Sequence, residues 1–233
     1  MNDNENNQEN SSNAALQESF ENIKESGGIQ TQNRRGRIYC LSIIGEIEGH
    51  NVLPPQSKTT KYEHVIPQLA AVEQDENVDG MLVILNTMGG DVEAGLAISE
   101  MIASMSKPTV SLVLGGSHSI GVPLAVSADE SFIVPSATMT IHPIRMNGTV
   151  IGVSQMFDYF AKVQERILNF VTTHSSVAYE ELYRLMMETD EIANDVGSIL
   201  FGEEAVDKKI IGRVGGISDA LEYLYQRIEQ TKK

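Results

Sequence analysis

From residue 37 onward, short apolar runs alternate with amphipathic stretches. Residues 38–44 read as a strand. Residues 61–75 carry Val65, Leu69 and Val72 at helical spacing. Residues 81–85 are continuously apolar, as in a strand buried on both faces. A helix is predicted over 92–105 from Leu96, Ile98, Ile102 and Met105, with Pro108 blocking its continuation. Strands follow at 109–114, 131–134 and 138–141, with a short helix at 122–128. The C-terminal part is mostly helical. Residues 154–172 repeat Met156, Phe160, Val163, Ile167 and Phe170 every three or four positions. Further helices are expected at 179–187 and at 202–208, where Glu203 and Glu204 suit the N-terminal turn. Residues 210–216 read as a short strand and turn, and Ser218 is expected to cap the last helix. Repeating β-α units with buried strands imply an α/β fold whose loops at strand ends carry the site.

The first 33 residues break this pattern, with eight asparagines, six acids, one lysine and only scattered apolar residues. Such a chain cannot offset its ordering entropy. Residues 1–36 are therefore read as an acidic, Asn-rich tail and 37–233 as one domain. Within the tail, 14–25 can form a helix on a partner, with Leu16, Phe20 and Ile23 on one face.

Composition narrows the function. A net charge of −15 argues against nucleic acid, which needs clustered Lys and Arg. The single cysteine, Cys40, excludes an internal disulfide and a multi-cysteine metal site, and fits a reducing cytoplasm. No run of about eighteen apolar residues predicts a membrane span, and the N-terminus lacks a secretory pattern. A cytoplasmic protein with no metal and no cofactor is expected.

The chemistry concentrates in Gly115-Gly116-Ser117-His118-Ser119-Ile120-Gly121, a hydroxyl in a glycine-flanked turn between a strand and a helix. A serine nucleophile needs such an exposed turn and a base nearby. His142 ends a β-like run, and Asn86-Thr87-Met88-Gly89-Gly90 places a glycine pair after another strand. His118 adjoins the serine, but consecutive residues on a turn point about 100° apart, so it is poorly placed as the base and reads as pocket wall.

From about residue 37 to 221 the chain resembles the caseinolytic (ClpP) protease family, within it the translocation-enhancing branch. The glycine pair is similar to the family's Asn-Ser-Pro-Gly-Gly, and Gly116 to Gly121 to its Gly-x-Ala-Ala-Ser-Met-Gly. Met139-Thr140-Ile141-His142-Pro143 is similar to its Met-Ile-His-Gln-Pro, and Gly202-Glu203-Glu204-Ala205 to its Ala-Glu-Glu-Ala. The resemblance implies a ClpP/crotonase-like fold with residues 154–172 as a protruding handle helix. It implies a serine endopeptidase with Ser119 as nucleophile, His142 as base, and the Gly90 and Ile120 N–H groups as oxyanion hole. The family's acid precedes the Glu-Glu-Ala helix. Ungapped register puts Gly197 there, a two-residue insertion puts Asp195 there, and Asp190 is the next candidate. Replacing the family's Ser-Pro by Thr87-Met88 removes a fixed φ and is expected to loosen that loop.

The implied partners are polypeptide or signal-peptide substrates, further copies of the chain in stacked heptameric rings, and an ATP-dependent unfoldase. Three alternatives stay open: a non-catalytic scaffold assisting protein export, a peptidase restricted to leader peptides, and a crotonase-like acyl-CoA enzyme.

Overall fold

A computed structural model describes residues 27–145, 151–190 and 195–232. Among them, the strands are β1 (Gly28–Gln32), β2 (Arg37–Glu48), β3 (Thr59–Lys61), β4 (Gly80–Gly90), β5 (Thr109–Ser117), β6 (Glu130–Ile133), β7 (Thr138–Ile141), β8 (Ser198–Phe201) and β9 (Arg213–Val214). The helices are α1 (Tyr62–Gln74), α2 (Val92–Ala103), α3 (Gly121–Val126), α4 (Val153–Thr173), α5 (Tyr179–Met186), α6 (Gly202–Asp207) and α7 (Ile217–Thr231). The sheet runs β1-β2-β4-β5-β6-β9, parallel except for β1. β3 joins β2, and β7 leaves the end of β5 to pair antiparallel with β8.

Burial on both faces explains the apolar strand sequences. One face of the sheet carries Leu41, Ile43, Val83, Leu85, Val113 and Ile133, packed against Val65, Leu69, Ile98, Ile102 and Leu124 of the helices. On the other face, Ile38, Leu82, Val110, Leu112 and Phe132 meet Ala220, Leu224 and Ile228 of α7. Side-chain hydrogen bonds tie the ends: Asp91 Oδ1 accepts from Ala94 N at 2.8 Å, capping α2.

Strands β2, β4 and β5 extend further than apolar runs alone predict. Ile47 is in register with Gly90, and Thr87 with Ser117. Parallel ladder bonds hold these polar and glycine-rich ends in the sheet, so the glycine pair and the serine turn emerge at one edge.

Several expectations need correction. Residues 28–32, read as tail, form β1, because the free edge of β2 offers unpaired N–H and C=O groups that an extended segment satisfies. Residues 1–26, including the helix expected over 14–25, lie outside the described residues. Ser218 does not cap α7. The helix starts one residue before it, and Asp219 Oδ2 instead accepts from Gly216 N at 2.8 Å. Helix α4 covers the predicted 154–172, but its first turns stand in solvent, with Val153 78% and Phe157 73% exposed.

Candidate active site

The turn between β5 and α3 holds Ser119 at φ +57°, one of two non-glycine residues with positive φ among the described residues. A non-glycine side chain there costs about 1–3 kcal/mol, so the surroundings must impose it. They do so with backbone bonds on both sides. Ser119 N donates to Thr140 O at 2.9 Å, His118 N to Thr87 O at 3.1 Å, and Val122 N to Ser119 O at 3.0 Å. The strained turn is clamped between β4 and β7.

The glycine pair lies against that serine. Gly89 has φ +91°, and a β-carbon there would stand 2.7 Å from Ser119 Cβ. Gly90 has φ +149°, and a β-carbon would strike the backbone of Ile47. Only glycine lets β4 pass this close to the hydroxyl while holding its place beside β2. The loop is not loosened by the lack of proline. Thr87 Oγ1 donates to Gly45 O at 2.6 Å and accepts from Gly89 N at 3.1 Å, a constraint supplied by hydrogen bonding in place of a ring.

Ser119 and His142 line one narrow cavity, closed by apolar side chains including Val92, Ile144, Val171 and Met186. No hydrogen bond joins the two residues among the described interactions. His142 Nδ1–H donates to the Pro143 carbonyl at 2.6 Å, which fixes the tautomer and leaves Nε2 as the basic nitrogen. Burial pushes the His142 pKa below its ordinary value. The Pro143 carbonyl opposes this, nearby Arg145 adds to it, and Asp195 opposes it.

Ser117, fully buried, donates to Gly121 O at 2.6 Å and is a structural hydroxyl. His118, expected as pocket wall, is not among the residues that line this cavity. Its Nδ1 is hydrogen-bonded to Thr140 Oγ1 at 2.9 Å, and its ring fills the space that a side chain at Gly116 would need. Burial first, then the proximity of His142, lowers its pKa.

The acid candidates sit apart from His142 Nδ1. Asp195 Oδ2 is ion-paired with Arg145 at 2.5 Å, and its Oδ1 accepts from Val196 N at 2.8 Å. Asp190 is exposed after α5, its backbone N donating to Glu188 at 3.4 Å. The residue packed on the histidine is Gly197, at φ +135°, where a β-carbon would stand 2.8 Å from His142 Cβ and would strike Ile141 O. Register between β7 and β8, with Ile141 opposite Ser198, causes this proximity. The ungapped register of the sequence motif had pointed to Gly197. The Pro143 carbonyl and Arg145 carried no sequence signal.

A model of the Clp protease family matches residues 39–216. The chain belongs to this family. It is 56% identical over 196 residues to the translocation-enhancing protein TepA of Halalkalibacterium halodurans, covering 84% of this chain and 77% of that one. It is also 27% identical over 127 residues to an ATP-dependent Clp protease proteolytic subunit of Lactococcus lactis, covering 52% of this chain and 63% of that relative. Among solved structures, a ClpP1 mutant from Listeria monocytogenes superposes with a TM-score of 0.62 at 23% identity, over 78% of this chain and 94% of that one. At that identity the likeness speaks for the fold. Among the described residues, no helix of this Clp-family chain is long and apolar enough to cross a membrane.

Proposed function

We propose that this chain is a serine endopeptidase subunit acting on polypeptides, signal or leader peptides among them, from sites facing a chamber formed by rings of its copies. The observation that carries the reading is the strained hydroxyl of Ser119, sharing a cavity with an imidazole whose tautomer is already set. Ser119 Oγ attacks the peptide carbonyl while His142 Nε2 takes its proton and returns it to the leaving amine. The N–H groups of Gly90 and Ile120 hold the oxyanion. Ring assembly brings the serine and imidazole into contact, with the exposed start of α4 as the handle. The subunit needs neither metal nor nucleotide, an ATP-dependent unfoldase supplies folded substrates, and the site is cytoplasmic.

Asp195 is the proposed acid, acting mainly through its charge, because the Pro143 carbonyl already holds Nδ1–H. Substituting Asp195→Ala then lowers kcat by about tenfold, against about 10⁴-fold for an aspartate that itself fixes the tautomer. Steady-state kinetics on a fluorogenic peptide decide between these. A loss near 10⁴ would seat Asp195 on Nδ1, and no loss would remove it from the site.

The pH profile gives a separate check. Only neutral His142 can accept the serine proton, and burial depresses its pKa. The acid limb of kcat/KM therefore has its midpoint below about 6.5, the ordinary histidine value, with activity level from neutrality upward. Arg145 contributes to the depression, so Arg145→Met moves the midpoint up. A wild-type midpoint above 7, or no shift in the variant, contradicts this assignment.

Fluorophosphonate labelling of the assembled particle tests the function itself. Labelling that is lost in Ser119→Ala and in His142→Ala supports the peptidase. A second reading, a scaffold assisting protein export, draws on the lack of a hydrogen bond between Ser119 and His142 among the described interactions and on the name of the 56%-identical relative. An assembled particle that stays unlabelled at Ser119 favours it.

A further inference from the structure

Ser119 follows β5 and His142 follows β7, and little joins those two strands directly. Among the described residues, the ladder between β5 and β7 consists of one pair, Gly116 with Thr138. A backbone bond from Ser119 N to Thr140 O also ties the serine's turn to β7. A turn held at one bond can still pivot about it. The main chain alone therefore fixes the spacing of hydroxyl and imidazole only in part.

His118 spans the same junction with its side chain. Its Nδ1 is hydrogen-bonded to Thr140 Oγ1 at 2.9 Å, and a β-carbon at Gly116 would strike its Nε2. The ring therefore lies on Gly116 of β5 and reaches Thr140 of β7. Alternation along β7 turns Ile141 toward the cavity and Thr140 away from it. Ile199, opposite Thr140 on β8, is 40% exposed, as that outer face requires. His118 is thus a clamp behind the site, outside the set of residues that line the cavity.

We propose that His118 is a positioning residue: through its bond to Thr140 it fixes the turn of Ser119 against the strand that leads to His142. Neither ring nitrogen exchanges a proton with substrate. The effect on rate rests on Ser119 being the nucleophile and His142 its base, whereas the clamp itself is a property of the fold. Removing the Nδ1 bond is expected to lower kcat about tenfold, the rate equivalent of one such hydrogen bond. KM stays nearly unchanged, because His118 does not line the cavity.

The test is a double-mutant cycle on the full chain, with kcat and KM measured on a fluorogenic peptide. His118→Phe keeps a ring over Gly116 without its nitrogens, and Thr140→Val keeps the branched shape without the hydroxyl. Each alone is expected to lose about tenfold in kcat, and the two together no more than either single, since both remove one bond. His118→Asn, whose side-chain amide reaches the Nδ1 position, restores kcat to within about threefold of the native chain. Losses that multiply, single variants with native kcat, or an asparagine variant as slow as His118→Phe overturn the proposal. Amide exchange at Ser119, which donates to Thr140 O, is read in the same variants. It quickens about tenfold in His118→Phe and Thr140→Val, but not in Thr140→Ser, which keeps the hydroxyl. Equal exchange in all three overturns the clamp. A native chain that turns over no peptide counts against the peptidase reading alone, and the exchange rates still decide whether His118 holds the turn.

Discussion

Replacing Ser119 by alanine is expected to lower kcat/KM for a fluorogenic peptide by about 10⁴-fold or more, as loss of a serine nucleophile does, and to leave stability almost untouched. The two halves of this prediction have different causes. Activity falls because the neighbouring hydroxyls are committed elsewhere: Ser117 is fully buried and donates to Gly121 O, and Thr87 Oγ1 donates to Gly45 O while accepting from Gly89 N. Stability holds because the positive φ is imposed by backbone bonds to Thr140, Thr87 and Val122, none of which involves the side-chain oxygen. Alanine accepts the same strain as serine, so the change in unfolding free energy stays within about 0.5 kcal/mol. Denaturant unfolding and peptidase assays on the same assembled preparation check both halves. Retained activity with unchanged stability would remove Ser119 from the chemistry. Equal loss of both would reduce it to a packing residue.

The α/β architecture was legible because parallel strands covered on both faces must be continuously apolar, as 81–85 and 109–114 are, and because the helices between them repeat at 3.6 residues. Strand ends were less visible. Asn86, Thr87, Met88 and the glycines do not look like strand, yet the ladder from Ile47 to Gly90 holds them. β1 escaped notice since its pairing with β2 stems from an unsatisfied edge, and edges belong to tertiary structure. Ser119 and His142 could be singled out from the glycine-flanked turn and the motifs that resemble the Clp family, and the structure gives them a common cavity. What orients the imidazole could not be. A backbone carbonyl such as that of Pro143 has no residue type to search for, and the pairing of Asp195 with Arg145 depends on how the β7–β8 ladder brings two distant loops together.

Gly197 is the position where a single methyl group is expected to do most harm to the site from outside its reacting atoms. In Gly197→Ala the new β-carbon meets Ile141 O and lies 2.8 Å from His142 Cβ, on backbone with φ +135° that L side chains rarely adopt. Neither neighbour can give way cheaply. Ile141 is held in the β7–β8 ladder opposite Ser198, and Ser198 itself donates to Leu185 O at 2.8 Å. The backbone strain alone costs about 1–3 kcal/mol, so the melting temperature falls by several degrees. The greater effect is on rate, because relief of the clash pushes the imidazole away from its bond to Pro143 O and from the serine. A displacement of about 1 Å is worth about 10²-fold in kcat, with KM little changed, since Gly197 does not line the cavity. Asp195→Ala, two residues away, lacks this steric effect and should cost about tenfold, so the order of the two variants separates crowding of the histidine from loss of its nearby charge. A Gly197→Ala enzyme with wild-type kcat would mean that the β7–β8 ladder yields more easily than its register suggests, and that His142 is positioned by something other than the packing described.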